Sequence, residues 1–185
     1  MSSPSGQGSA PDPRDALIDE HVQSEVDHDM DRLMATWGEH PDFDDVPWNE
    51  QWHGREGIRE HYEELLQAFP DMTIEVHRKH KTEDTIILEV TVRGTLLNKW
   101  RDLPATGRKL ESRVCAIYTT DEQGLLNMER TYYDNLKVLT DLGLARDPRT
   151  TVGKVMAAIT PPFVALRAYL KPRKPVPWQR HVPKP

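Results

Sequence analysis

The stretch Ile58-Arg59-Glu60-His61-Tyr62-Glu63-Glu64-Leu65-Leu66-Gln67-Ala68-Phe69-Pro70-Asp71-Met72-Thr73-Ile74-Glu75-Val76 changes its period halfway along. Up to Phe69, the residues Ile58, Tyr62, Leu65, Leu66 and Phe69 recur at helical spacing and share one face. After Pro70-Asp71, Met72, Ile74 and Val76 alternate with polar residues, which is the period of a half-buried strand. Proline drives the residue before it out of the helical region, so the helix stops there. A helix that hands over to alternation across so short a joint points to helices laid on an antiparallel sheet.

Downstream, Thr82-Glu83-Asp84 turns the first strand into a second, Thr85 to Thr95, rich in Ile and Val. A long connection from Leu96 to Gly107 holds Trp100 and Pro104. The third strand, about Arg108 to Thr120, puts Leu110, Ser112, Val114, Ala116 and Tyr118 on one face. The loop Asp121-Glu122-Gln123-Gly124 leads to a fourth strand, Leu125 to Asp134, and Leu136, Leu139 and Leu142 give a short helix ending at Gly143. Upstream, Asp12-Pro13 starts a helix, with Asp as cap and Pro in the first turn. Leu17, His21, Val22, Val26, Met30, Leu33 and Trp37 carry its apolar face to Gly38. Glu39 to His53, acidic and broken by prolines, reads as an irregular segment anchored by Trp48 and Trp52. The sum is an α+β fold in which a curved, mostly antiparallel sheet wraps around helices.

The chain's 185 residues suit one domain with tails, and a mean hydropathy of −0.70 suits polar tails around a smaller body. Residues 1–11, rich in Ser, Gly and Pro, are expected to be disordered; 12–145 form the domain; 146–185 form a basic, Pro-rich helical extension with a helix on each side of Pro161-Pro162. The first fifty residues carry thirteen carboxylates against two basic side chains, whereas Thr150 to Pro185 holds seven Lys or Arg and no acid. An acidic body argues against nucleic acid as the main partner, and the basic extension is either a solvated tail or a segment for weak contact with an anionic membrane surface. The N-terminus has no signal-peptide pattern, and no run approaches the roughly 20 apolar residues of a membrane span, so a cytoplasmic location is the default expectation. Cys115, the single cysteine, cannot form an internal disulfide.

Three segments carry a resemblance. His53-Gly54-Arg55-Glu56-Gly57-Ile58-Arg59, on a helix ending in Phe69-Pro70-Asp71, resembles the second-helix signature of SnoaL-like proteins, a branch of the nuclear-transport-factor-2-like superfamily. Leu103-Pro104-Ala105-Thr106-Gly107-Arg108 resembles that family's P-x-T-G-[RK] loop. Glu129-Arg130-Thr131-Tyr132-Tyr133-Asp134, followed by Leu139 and Leu142-Gly143-Leu144, is similar to its last strand and "LGL" ending. The trio stands in the family's order over roughly residues 12–145. The resemblance implies a cone with a cavity between the concave face of the sheet and the helices. It also implies cyclase- or isomerase-type chemistry without metal or other cofactor, with an aspartate at the end of the last strand as acid/base, here Asp134. Cyclases of the family support that aspartate with a histidine on a neighbouring strand. None lies between Ile86 and Thr120, which leaves helix or loop residues such as His21, His28, His53 and His61 as substitutes.

On the fourth strand, plain alternation puts Met128, Arg130, Tyr132 and Asp134 on one face. If that face lines the cavity, burial raises the Asp134 pKa toward a useful acid/base value, and Tyr132 can donate to an enolate oxygen. Arg130 then binds the substrate or pairs with an acid, and Trp37, Trp48, Trp100 and His28 shape an apolar pocket. The competing reading of Asp134 is a turn cap beside Asn135. The expected ligand is a small apolar carbonyl compound, polyketide- or steroid-like. The alternatives are a non-catalytic ligand-binding or dimerisation module, and an epoxide hydrolase. Epoxide hydrolases of this fold use an Asp–Arg–Asp trio, but Arg93 and Arg113 are followed two residues on by Thr95 and Cys115. A homodimer is expected, because a curved sheet leaves its convex face exposed. Asp27-His28-Asp29 points in several directions on a helix and does not converge on a metal.

Overall fold

The computed structural model describes residues 12–159 and residue 170. The expected tail before residue 12 and, residue 170 apart, the segments expected beyond Pro161-Pro162 lie outside the described residues. The chain divides into two compact units, Met1–Ala145 and Arg146–Pro185.

The first unit opens with α1 (Pro13–Val26) and α2 (Met30–Ala35), followed by β1 (Trp37–Asp45), a 3-10 turn at Val46–Trp48, β2 (Glu50–His53) and α3 (Gly54–Ala68). The strands β3 (Thr73–Lys81), β4 (Thr85–Thr95), β5 (Lys109–Thr120) and β6 (Leu126–Tyr133) come next, and α4 (Asn135–Asp141) closes it. The six strands make one curved open sheet in the order β2-β1-β6-β5-β4-β3. Every neighbouring pair is antiparallel except β1 with β6. Helices and sheet share a core in which Ile18, Leu33, Ile58 and Tyr62 meet Phe43, Leu88, Ala116 and Leu126. The architecture is the α+β cone of the nuclear-transport-factor-2-like kind.

Three local features differ from the sequence reading. The first helix does not run on to Gly38. It stops at Asp27, His28 takes a left-handed φ of 55°, and Asp29 recaps the chain by accepting from the Arg32 N–H at 3.1 Å. Nor is Glu39 to His53 irregular, because most of it is β1 and β2. Their hydrogen-bond partners are each other and β6, nearly ninety residues on, and Pro41 falls where the β1–β6 register slips, so it removes no ladder bond.

The third difference decides the site. On β6, Thr120 pairs with Leu126 and Thr119 with Met128, so Asn127 is an extra, bulged residue. The bulge reverses the parity of the strand. Leu126 points into the core, yet beyond the bulge it is Glu129, Thr131 and Tyr133 that face inward, and Arg130 and Tyr132 that face out.

In the second unit, α5 (Thr151–Ile159) is capped by Thr150, whose hydroxyl accepts from the Gly153 N–H at 3.0 Å. Among the described residues no helix is long and apolar enough to cross a membrane.

Candidate active site

The concave face and α3 enclose a cavity of about 120 Å³ with mostly apolar walls, among them Leu65, Leu88, Val90 and Ala116. Strand pairing places its polar residues. Phe43 and Asp45 of β1 lie beside Glu129 and Thr131 of β6, which lie beside Tyr118 and Ala116 of β5. Two polar groups result.

The first group is held by α1, α3, β5 and β6. Thr36 donates its hydroxyl to the Leu33 carbonyl at 2.7 Å, so it accepts from His21 Nδ1 at 2.9 Å, and this network assigns the Nδ1 proton. The other ring nitrogen lies 3.2 Å from the Tyr62 hydroxyl and 3.5 Å from Glu129 Oε2. Tyr62 donates to that same Glu129 oxygen at 2.6 Å. Burial and the Glu129 and Glu25 carboxylates push the phenols of Tyr62 and Tyr118 well up, so both stay O–H donors. Glu25 is the exception within the group. It lines the cavity only 9% exposed, with no side-chain hydrogen bond or ion pair among the described residues. Burial first, and the nearby Glu129 charge second, lift its pKa to about 8.

The second group surrounds Arg101, in the β4–β5 connection. Its guanidinium lies 4.4 Å from the centre of the Trp48 ring, 4.8 Å from Trp100 and 5.8 Å from Trp52. Arg101 Nη2 is 2.7 Å from Asp45 Oδ2 and in ion-pair contact with Glu50 at 2.8 Å. Its backbone takes a left-handed φ of 54°, held by a hydrogen bond from its N–H to Glu64 at 2.6 Å. Asp45 Oδ2 also accepts from the Tyr133 hydroxyl at 2.8 Å, while Oδ1 is buried without a partner. His61 stands between Phe43 and Trp52, ring centres 4.0 and 4.3 Å away, and its Nε2 is likewise buried and unpartnered. Burial, helped by the Arg101 charge, lowers the His61 pKa to about 3, so the ring is neutral. Unpartnered buried polar atoms cost about 1–3 kcal/mol each, and these two belong to residues that line the cavity.

The residues expected from the sequence fall in different places. Asp134 is exposed and outside the cavity: it caps α4, accepting from the Lys137 N–H at 3.0 Å. That placement removes the desolvation on which an acid/base role rested. Tyr132 is 42% exposed on the convex side. Arg130 sits there too, paired with Asp44 at 2.7 Å. Trp37 is buried against His21 and Tyr62, behind the cavity wall. His28 sits in the α1–α2 joint, away from the cavity. Trp100 does line the cavity, and Trp48 backs it through Arg101. Of the two middle-strand arginines, Arg93 is held by Glu75 and Glu111. Among the described residues, no group of three His, Cys, Asp or Glu side chains is placed to hold a metal ion.

Sequence reasoning misses the carboxylates that line the cavity, although one leaves a trace. Ile18, His21, Val22 and Glu25 form one stripe of α1, so a carboxylate stands on an apolar face. Asp45 and Arg101 are 56 residues apart and share no local pattern.

Known structures show the same architecture. AclR of Streptomyces galilaeus, a proposed hydroxylase, superposes with a TM-score of 0.66 at 20% identity, covering 80% of this chain and 95% of its own. A proposed SnoaL-like polyketide cyclase of Jannaschia sp. CCS1 gives 0.64 at 18% identity, covering 77% of this chain and all of its own. A Catenulispora acidiphila protein with a ketosteroid isomerase-like fold, solved with trimethylamine, gives 0.60 at 12% identity, covering 69% and 92%. At these identities the likeness shows the fold alone. No curated protein matches the chain. The model of the SnoaL-like domain matches residues 18–127, more than half of the length, and the chain belongs to the SnoaL-like domain family.

Proposed function

We propose that the protein is an acid–base cyclase or isomerase acting on a small apolar carbonyl compound, with Glu25 and Glu129 as its proton-handling pair. The observation that carries this reading is Glu25, a carboxyl in an apolar cavity with no cation paired to it among the described residues. With a pKa near 8 it is mostly protonated at neutral pH and can donate to a carbonyl oxygen. Glu129, which accepts from Tyr62, is the carboxylate that takes the proton from the adjacent carbon. The product of these two transfers is an enol. Returning the proton to another carbon isomerises the compound. In ring closure the enol carbon attacks a second carbonyl, the enol O–H proton returns to Glu25, and protonated Glu129 protonates the new alkoxide, so both groups are restored. The Jannaschia protein, a proposed polyketide cyclase on the same fold, supports this class of chemistry. At about 120 Å³ the cavity is somewhat smaller than the void of about 150 Å³ that holds benzene, a size that suits a small ring or the reacting end of a larger compound.

The test is exchange of the α-protons of cyclohexanone in D2O, followed by NMR. The wild type exceeds buffer, and Glu25→Gln and Glu129→Gln each lose roughly two to four orders of magnitude, the usual worth of a positioned acid or base. A wild type no faster than buffer refutes catalysis and leaves a ligand-binding module.

A second reading has one observation in its favour: Asp45, Arg101 and Glu50 form a carboxylate–arginine–carboxylate trio with one Asp45 oxygen unpartnered. It predicts hydrolysis of cyclohexene oxide that Asp45→Asn abolishes.

A further inference from the structure

We propose that Asp45 and His61 form a recognition pole, distinct from the Glu25–Glu129 pair, that takes a hydroxyl group on the ring of the carbonyl compound. The inference rests on the acid–base reading of the cavity and names a feature of its substrate.

Asp45 is 3% and His61 6% exposed, and both line the cavity. Each keeps one polar atom, Asp45 Oδ1 and His61 Nε2, without a partner. The surroundings hold both side chains in place. Asp45 is fixed through its other oxygen by Arg101 and Tyr133, and His61 is wedged between Phe43 and Trp52. A carboxylate oxygen beside a guanidinium accepts and does not donate, so its complement is an O–H or N–H. A neutral imidazole offers one N–H, which a hydroxyl oxygen can accept while giving its own proton to Asp45. A hydroxyl therefore carries the donor that Asp45 lacks and the acceptor that His61 lacks. A bare apolar ring satisfies neither. An ammonium gives Asp45 its donor but offers His61 no acceptor, and it must sit near the Arg101 charge.

Distance fixes where the hydroxyl stands on the ligand. Asp45 pairs with Thr131 of the neighbouring strand, two residues along from Glu129. One strand across and two residues along separates the backbones of Asp45 and Glu129 by roughly 8 Å. That span matches a six-membered ring with its carbonyl at the proton-handling pair and its hydroxyl at the far carbon.

The experiment titrates the full-length protein with cyclohexanone, 4-hydroxycyclohexanone and 4-aminocyclohexanone, followed by tryptophan fluorescence. The hydroxylated ring should bind about tenfold or more tighter than cyclohexanone, the worth of a hydrogen bond to a charged group. In His61→Phe, which keeps an aromatic ring between Phe43 and Trp52, and in Asp45→Asn, that preference should shrink severalfold. Exchange of cyclohexanone α-protons by the wild type, which needs no hydroxyl, reports separately on the proton-handling pair. Should Asp45→Asn fail to fold, His61→Phe decides alone. Equal binding of the two ketones by the wild type, tightest binding of the amine, binding of none of the three, or a preference unchanged in His61→Phe overturns the proposal. The first of these, with exchange intact, leaves the acid–base reading standing.

Discussion

Replacing Glu25 by Gln keeps the shape of the side chain and removes its titration. A rise in pKa from 4.5 to about 8, at 1.36 kcal/mol per unit, makes the ionised form cost on the order of 5 kcal/mol, an upper bound once water entry is allowed for. The sign follows from proton counting. Between pH 4.5 and 8 the folded chain keeps a proton that the unfolded chain has lost, so wild-type stability falls as pH rises through that window and is level on either side. The Glu25→Gln variant carries no such slope. Urea unfolding of the full chain, followed by tryptophan fluorescence from pH 4 to 9, should show the variant gaining on the wild type steadily across the window. Above pH 8 the gain should be several kcal/mol and constant. A difference independent of pH would mean that Glu25 is solvated and ionised in the folded protein, and its role as proton donor would fall with it.

His61 carries the opposite slope. Its pKa of about 3 lies below the ordinary 6.5, so the unfolded state alone gains a proton as pH drops through that interval. His61→Phe should hold its stability in acid better than the wild type, by up to roughly 5 kcal/mol at pH 3 in the same unfolding assay. Arg101→Ala leaves the Asp45 charge buried and unpaired, which should cost about 3–5 kcal/mol in urea unfolding. Adding Asp45→Asn to Arg101→Ala should recover part of that loss. Asp134→Ala removes only the α4 cap, worth about 1 kcal/mol, and should leave α-proton exchange unchanged.

The joint at Pro70 was legible because two long, local periods meet there, and α3, β3 and β4 stand where those periods placed them. The inward row of β5, from Leu110 to Tyr118, was equally clear, since the strand is unbroken and one side of it is nearly all apolar. β1 and β2 were illegible for the converse reason. β1 pairs with β6, nearly ninety residues on, β2 pairs only with β1, and nothing within the acidic stretch itself signals either. The bulge at Asn127 did the most damage. Counting by twos from Leu126 selects Met128, Arg130, Tyr132 and Asp134, and one extra residue exchanges that whole set for Glu129, Thr131 and Tyr133. The last strand was thus found correctly, and the carboxylate it sends into the cavity is Glu129 rather than Asp134.

The two polar groups of the cavity differ in a way that separates site from scaffold. Arg101, Tyr133 and the tryptophans around them are held together through Asp45 and ring contacts, so removing any one should destabilise the fold. Glu25 and His61 are held uncharged by their surroundings, so a residue that does not titrate should stabilise it, Gln at 25 above pH 4.5 and Phe at 61 below pH 6.5. A fold selected only for stability would replace both with apolar residues of similar volume, because the cavity is dry enough to shift each by more than three pH units. Their cost is unexplained unless a ligand meets them. On the proposed function, the sign of the stability change on such a replacement should therefore separate working residues from scaffold before any substrate has been found, with a gain for Glu25→Gln and His61→Phe and a loss for Asp134→Ala.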